Sequence, residues 1–403
     1  MIKELAARVQ RIKPSPTLAI SARADELIAS GKKIINLSVG EPDFDTPEHI
    51  KAAAAKAIHD GFTKYTAVDG TAALKKAIIK KFERDNNLKY EPSQILVSCG
   101  AKHSFFNLFE AVLNAGDEVI ILAPYWVSYP DMTKLADGVP VIIKATLEQG
   151  FKVTPAQLEA AITPRTRIVV INSPSNPTGV AYTEGELKAL AAVLVKYPNI
   201  IIASDDIYEH TLWKGSFYNI LMVCPELYDQ TVIINGVSKS YAMTGWRIGY
   251  AAGPAKLIAA MKKIQSQSTS NPTSISQVAS QVALDGDQSC TKEMTKAYKE
   301  RHDFIIAELQ KMPGITCMPS DGTFYTFPCA EKLIEMAPGI NNDIELAEYL
   351  LNEAEIALIP GSAFGAPGYL RISYATSMEK LKEAMKRMHN ALEKLQNKIL
   401  TAT

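Results

Sequence analysis

Short runs rich in Val and Ile, apolar on both faces, recur along this 403-residue chain with helical stretches between them, and no other feature restricts its fold as much. The clearest are EVIILAP (118–124), VPVIIKA (139–145), RIVVINSP (167–174), NIIIASDD (199–206) and TVIINGVS (231–238). A strand with one wet face alternates apolar and polar residues. A run that is apolar throughout suits a strand of a parallel sheet covered by helices on both sides. The intervening pieces carry helix starts. In TPEHIKAAAAKAIHDG, Thr46 is placed as N-cap, Pro47 as first helical residue and Gly61 just past the end. TPAQLEAAI and TEGELKALAAVLVKY open on Thr in the same way. Alternating strands and helices predict an α/β domain with right-handed crossovers.

The pattern changes after Gly253. A long helical stretch over roughly 284–311 is followed by three strand-like pieces, GTFYTFP, IALIPG and YLRISYA, and a final helix, MEKLKEAMKRMHNALEKLQ. Strands grouped between helices predict a second, smaller α+β domain, which the N-terminal segment is expected to join. The expected division is 1–45 for an N-terminal arm and part of the small domain, 46–290 for the large domain and 291–403 for the rest of the small one. A chain of this length exceeds one ordinary core.

Charge and cysteine content exclude several classes. Lys plus Arg and Asp plus Glu both number 43, so no basic excess points to nucleic acid. The five cysteines form no CxxC pair, which argues against a disulfide framework and against a zinc knuckle, and no metal site is expected. MIKELAARVQRIKPSP holds no apolar signal core, and no run approaches the ~18 apolar residues that span a bilayer. A cytoplasmic protein without membrane partners is expected.

The chemistry concentrates in NGVSKSYAMTGWRIGY (235–250). Lys239 follows directly on an apolar strand, where open α/β sheets place ligands. In a dry site its ammonium is disfavoured and the neutral amine can attack an aldehyde. Arg247 can offer a planar fork to a phosphate, and Ser238 a hydroxyl. By itself, Lys239 reads more readily as an ordinary surface lysine.

SKSYAMTGWRIGY resembles the cofactor-lysine segment of class I aminotransferases, the aspartate aminotransferase family of pyridoxal-phosphate enzymes. The likeness runs from KPSPT to RISYA and is strongest to the prokaryotic-type branch, some of whose members also use prephenate. It implies the fold type I architecture: a large domain with a mostly parallel sheet wrapped by helices, plus a smaller α+β domain. It also implies pyridoxal 5′-phosphate held as a Schiff base on Lys239. In SDDIYEH (204–210), Asp205 matches the carboxylate that keeps the pyridine nitrogen protonated, and Tyr208 the phenol that bonds the ring oxygen. Asp205 as a mere helix N-cap is the plain alternative. Asp206 stands where the branch usually has Glu. In NSPSNPTG (172–179), Asn176 matches an asparagine that bonds the ring oxygen and contacts the substrate carboxylate, and Pro177 is expected to follow a cis bond. Gly100, Ala101 and Lys102 match the phosphate loop, a helix start whose amides suit a dianion. Trp126, in APYWVSY, matches the ring that stacks on the cofactor, although a core Trp is the commoner fate of that residue.

For the substrate, Arg371 in YLRISYA matches the arginine that grips the α-carboxylate, and strand alternation puts Arg371, Ser373 and Ala375 on one face. Gly40 matches a glycine whose amide approaches the same group. Tyr65 matches a tyrosine that reaches the neighbour's phosphate in a homodimer with shared sites. Lys102, Ser15 and Thr17 match residues that meet a distal carboxylate, favouring aspartate and glutamate. The resemblance thus implies a ping-pong transfer from L-aspartate to 2-oxoglutarate, with Lys239, Asp205 and Tyr208 as catalytic groups. Prephenate, aromatic amino acids or alanine are alternatives within the family. A β-elimination on the same fold and a non-enzymatic sensing domain are the readings outside it.

Overall fold

A computed structural model describes residues 5–14, 16–337 and 339–402. In chain order its strands are β1 (Ile35–Asn36), β2 (Ile95–Ser98), β3 (Glu118–Ala123), β4 (Val139–Lys144), β5 (Thr166–Asn172), β6 (Ile201–Asp205), β7 (Thr231–Gly236), β8 (Gly249–Ala252), β9 (Tyr325–Thr326), β10 (Ile356–Ala357), β11 (Ile359–Pro360) and β12 (Leu370–Ser373). Among the described residues, β2 to β8 form a seven-stranded sheet ordered β2-β8-β7-β6-β5-β3-β4. All its neighbours are parallel except β8, which runs against both β2 and β7. This is the mostly parallel sheet the apolar runs predict. Its two faces carry separate apolar cores, one around Val97, Ile120, Val169, Ile202 and Ile233 and one around Leu96, Val119, Ile168, Ala203 and Val232. VPVIIKA departs from expectation: β4 is the sheet edge, and Val139 and Ile142 are 46% and 36% exposed. A run apolar on both faces therefore marks a strand without showing that both faces are covered.

The capping predictions divide. Thr154 and Thr183 accept from Gln157 N and Glu186 N in capping boxes. Thr46 does not cap. The helix runs Glu48–His59 with Pro47 at the cap position. The Thr46 hydroxyl instead donates to Ala242 O at 2.6 Å and accepts from Trp246 Nε1 at 2.9 Å, tying this helix start to the loop after Lys239. The helical stretch expected over 284–311 starts later, at Ser289, after a break at Gly286 that ends the helix Ser274–Asp285.

The later strands form a three-stranded antiparallel sheet, β11-β12-β9, while β1 pairs in parallel with β10. A third core gathers Ile35 and Leu37 with residues from Met294 to Leu395. No helix among the described residues is long and apolar enough to cross a membrane.

Candidate active site

Parallel strands end along one rim, and the chain places its polar residues there. β2 ends at Ser98, and the helix Ala101–Val112 begins after Gly100. Gly100 has φ +87°, and a Cβ on it would collide with the Arg247 guanidinium. A Cβ on Gly249 would collide with the Ala101 amide. Arg247, itself at φ +57°, donates to Thr244 O at 3.0 Å and to Cys99 O at 3.3 Å. Helix-start amides and a guanidinium thus meet at a place kept open by glycine, a donor set that suits an anion. Lys102 reaches from the same turn to within 5.1 Å of the Trp126 ring centroid.

After β3, Trp126 packs edge-on against Tyr129, with ring centroids 5.3 Å apart. The buried Tyr129 hydroxyl donates to the Asp205 carboxylate at the end of β6. Ile207 N adds a bond of 3.3 Å to Asp205 Oδ1. A turn, not a helix, follows Asp205, so the N-cap alternative is not realised. Burial pushes this carboxyl up to about 6, against the pull of the Tyr129 bond, the Ile207 amide and the Lys239 charge. Among the described residues it makes no ion pair. Asn172, at the end of β5, donates to Asp205 O at 3.0 Å and accepts from Asn176 N at 2.9 Å. The Asn176–Pro177 bond is cis, as expected.

Lys239 follows β7, three residues beyond Gly236, with Ser238 buried before it. Its Nζ donates to Gly40 O at 2.6 Å. Burial pushes the ammonium down to about 8, and the cations Arg371 and Arg247 push the same way, while Glu41 and Asp205 oppose them. Arg371, on β12, is buried. It donates to Asn176 Oδ1 at 3.1 Å and to Ser38 O at 2.5 Å. Its guanidinium carbon lies 4.5 Å from the Tyr325 ring centroid and 5.0 Å from that of Phe364. Its Nε is buried with no partner among the described residues. A Cβ on Gly40 would lie 2.9 Å from Tyr325 Oη and 3.9 Å from the Arg371 nitrogens, so only glycine leaves room there. Tyr208 is buried, its hydroxyl 3.1 Å from Tyr325 Oη.

The structure thus joins Gly40, Asn176, Asp205, Tyr208, Lys239 and Arg371 through shared contacts, with Gly100, Ala101, Lys102, Trp126 and Arg247 alongside. Tyr65 stands apart, 91% exposed. Thr17 is half-buried in the helix Pro16–Ala29, and Ser15 lies outside the described residues. Sequence reasoning passed over Tyr129, Asn172, Tyr325 and Ser38. Tyr129 sits three residues after Trp126 and Asn172 inside NSPSNPTG, so their motifs were in view. Tyr325 reads as core in an apolar run.

Behind Asp205, burial pushes the Asp206 carboxyl up to about 7; Glu209 adds to this, while bonds from Ser204 and Asn219 and the Lys81 charge oppose it. A carboxyl raised in the folded state binds more protons than the unfolded chain, so stability falls as pH rises through about 7. In Asp206→Asn this loss is absent. The variant's thermal midpoint relative to wild type, measured without ligands, is expected to climb from about pH 5.5 to about pH 8 by a few degrees. A constant difference would show that Asp206 does not titrate in that window.

Known proteins resemble the chain in both sequence and fold. Residues 32–388 match the family described as aminotransferase class I and II. The chain is 57% identical over 395 residues to the aspartate/prephenate aminotransferase of Nitrosomonas europaea, covering 96% of this chain and 100% of the relative. It is 52% identical to the aspartate aminotransferase of Geobacillus stearothermophilus, over 97% of this chain and 99% of that protein. The crystal structure of the aspartate aminotransferase from Rhizobium meliloti superposes with a TM-score of 0.94 at 48% identity, covering 97% of this chain and 99% of the other. That of Thermus thermophilus with maleate gives 0.91 at 42%, covering 97% and 100%. On this evidence the chain is an enzyme of fold type I and belongs to the class I and II aminotransferases.

Proposed function

We propose that the chain holds pyridoxal 5′-phosphate on Lys239 and transfers the amino group of L-aspartate to 2-oxoglutarate, giving oxaloacetate and L-glutamate in a ping-pong cycle. The observation that carries this reading is a lysine with a lowered pKa set among a buried carboxylate that makes no ion pair among the described residues, Asp205, and a buried arginine with a spare donor, Arg371. The residues present fit the cofactor. The glycine-lined helix start with Arg247 and Ser238 suits its phosphate, Asp205 its ring nitrogen, Asn176 and Tyr208 its ring oxygen, and Trp126 its face.

When bound, the cofactor supplies an aldehyde that captures amino groups and a ring that accepts the electron pair left by a departing proton. Lys239 Nζ, as a neutral amine, takes the proton from the substrate α-carbon and holds it for return. Asp205 keeps the ring-nitrogen proton in place. Arg371 orients the substrate by its α-carboxylate, with Nε still free to donate. Gly40 leaves that approach open. The 1–45 and 291–403 segments form a small domain that closes over the 46–290 domain and excludes water, with Thr17 at the closing edge. The exposed Tyr65 ring supports a homodimer in which it completes the partner's phosphate site. Five unbridged cysteines support a cytoplasmic setting.

Aspartate is favoured by the relatives' names, by maleate, a dicarboxylate, in the Thermus protein, and by Lys102 beside Trp126. Prephenate stands second because relatives at 57% and 52% identity are named for both substrates. A panel of amino donors and keto acids tests this. Aspartate with 2-oxoglutarate is expected to give the highest kcat/KM, and alanine or an aromatic donor outrunning it would refute the assignment. Lys102→Ala should raise KM for aspartate about two- to fivefold, the range of a solvent-exposed charge contact, and raise that for a monocarboxylate donor less.

A further inference from the structure

Tyr325 lies where three site residues meet. Its buried ring backs the Arg371 guanidinium at 4.5 Å, and its hydroxyl is 3.1 Å from that of Tyr208. A side chain on Gly40 would press against the same hydroxyl. A phenol has one O–H to give. Among the described residues, each of these two phenols has the other as its hydrogen-bond partner. If Tyr208 gives its proton to the cofactor ring oxygen, the contact between the tyrosines is satisfied in one direction only, with Tyr325 donating and Tyr208 accepting.

We propose that Tyr325 is a positioning residue that fixes Tyr208 as donor to the cofactor ring oxygen while its ring seats Arg371 for the substrate carboxylate. The inference rests on the roles given to Tyr208 and Arg371 under the proposed function. Burial keeps both phenols above their ordinary range, so both retain their protons. The charged groups facing the pair are Arg371 on both, Asp205 on Tyr208 and Glu41 on Tyr325. Accepting a bond polarises the Tyr208 hydroxyl and strengthens its own donation. A stronger donor stabilises negative charge on the ring oxygen and lowers the proton affinity of the neighbouring lysine-bound nitrogen.

The test is a visible-absorbance pH titration of the holoenzyme and of its Tyr325→Phe, Tyr208→Phe and double variants. Tyr208→Phe should raise the spectroscopic pKa by about one unit and Tyr325→Phe by about half a unit, and the double variant should match Tyr208→Phe alone. Phenylalanine keeps the ring under Arg371. KM for the amino donor should therefore stay within about twofold while kcat falls about threefold. A Tyr325→Phe titration identical to wild type, with Tyr208→Phe shifted, overturns the proposal and leaves the reading of Tyr208 standing. Full additivity in the double variant overturns it as well. No shift in Tyr208→Phe overturns the role of Tyr208, and the role of Tyr325 with it.

Discussion

Lys239→Ala is expected to lower kcat for amino transfer by about 10⁴-fold or more, with the fold preserved. In the proposed cycle Nζ is the base at the reacting carbon, and Lys102, the other lysine named for the site, sits at the helix start beside Trp126 and is not placed to replace it. The depressed pKa sharpens the expectation. With a pKa of about 8, about one lysine in ten is neutral at pH 7, against about one in three thousand at the ordinary value of 10.5. The hydrogen bond lost is a single one, to Gly40 O, so circular dichroism and the thermal midpoint should change little. A coupled assay of the aspartate reaction measures the loss. Turnover within about tenfold of wild type would remove Lys239 from the chemistry.

Asp205→Asn is expected to lower kcat by about 10³-fold, with a much smaller change in KM for the amino donor. The amide is nearly isosteric, and its single oxygen keeps one of the two bonds, from Tyr129 or from Ile207, so packing survives. What is lost is the negative charge that, in the proposed cycle, would keep the ring nitrogen protonated. Without a ligand, burial raises this carboxyl to about 6; a cation facing it would favour the charged form and draw that value down. Cofactor affinity should therefore fall along with the rate in this variant. An Asp205→Asn enzyme with near-normal kcat would show that the carboxylate does not serve the electron sink.

The large sheet was legible because each of its parallel strands carries its signal locally, in Val- and Ile-rich runs such as RIVVIN and TVIING. Sheet order was less so. Strand β4 has the composition of an interior strand yet lies at the edge, because neighbour identity depends on crossovers that composition does not encode. Thr46 shows the same limit at shorter range: Thr-Pro reads as a cap, but the hydroxyl goes to Ala242 and Trp246, about 200 positions away in sequence. In the site, residues inside long motifs stood out by type and spacing. The ones that hold them did not. Tyr129 beneath Asp205 and Tyr325 between Tyr208 and Arg371 are aromatic residues in apolar surroundings, and only three-dimensional contact separates them from core. Tyr65 and Thr17 depend on a partner or on closure for the roles given them.

Borohydride reduction of the holoenzyme, followed by peptide mass mapping, tests the central claim most directly. One pyridoxyl-phosphate increment per chain, on the peptide containing Lys239, is the predicted result. An increment on a different lysine, or none in protein incubated with the cofactor, would contradict the account.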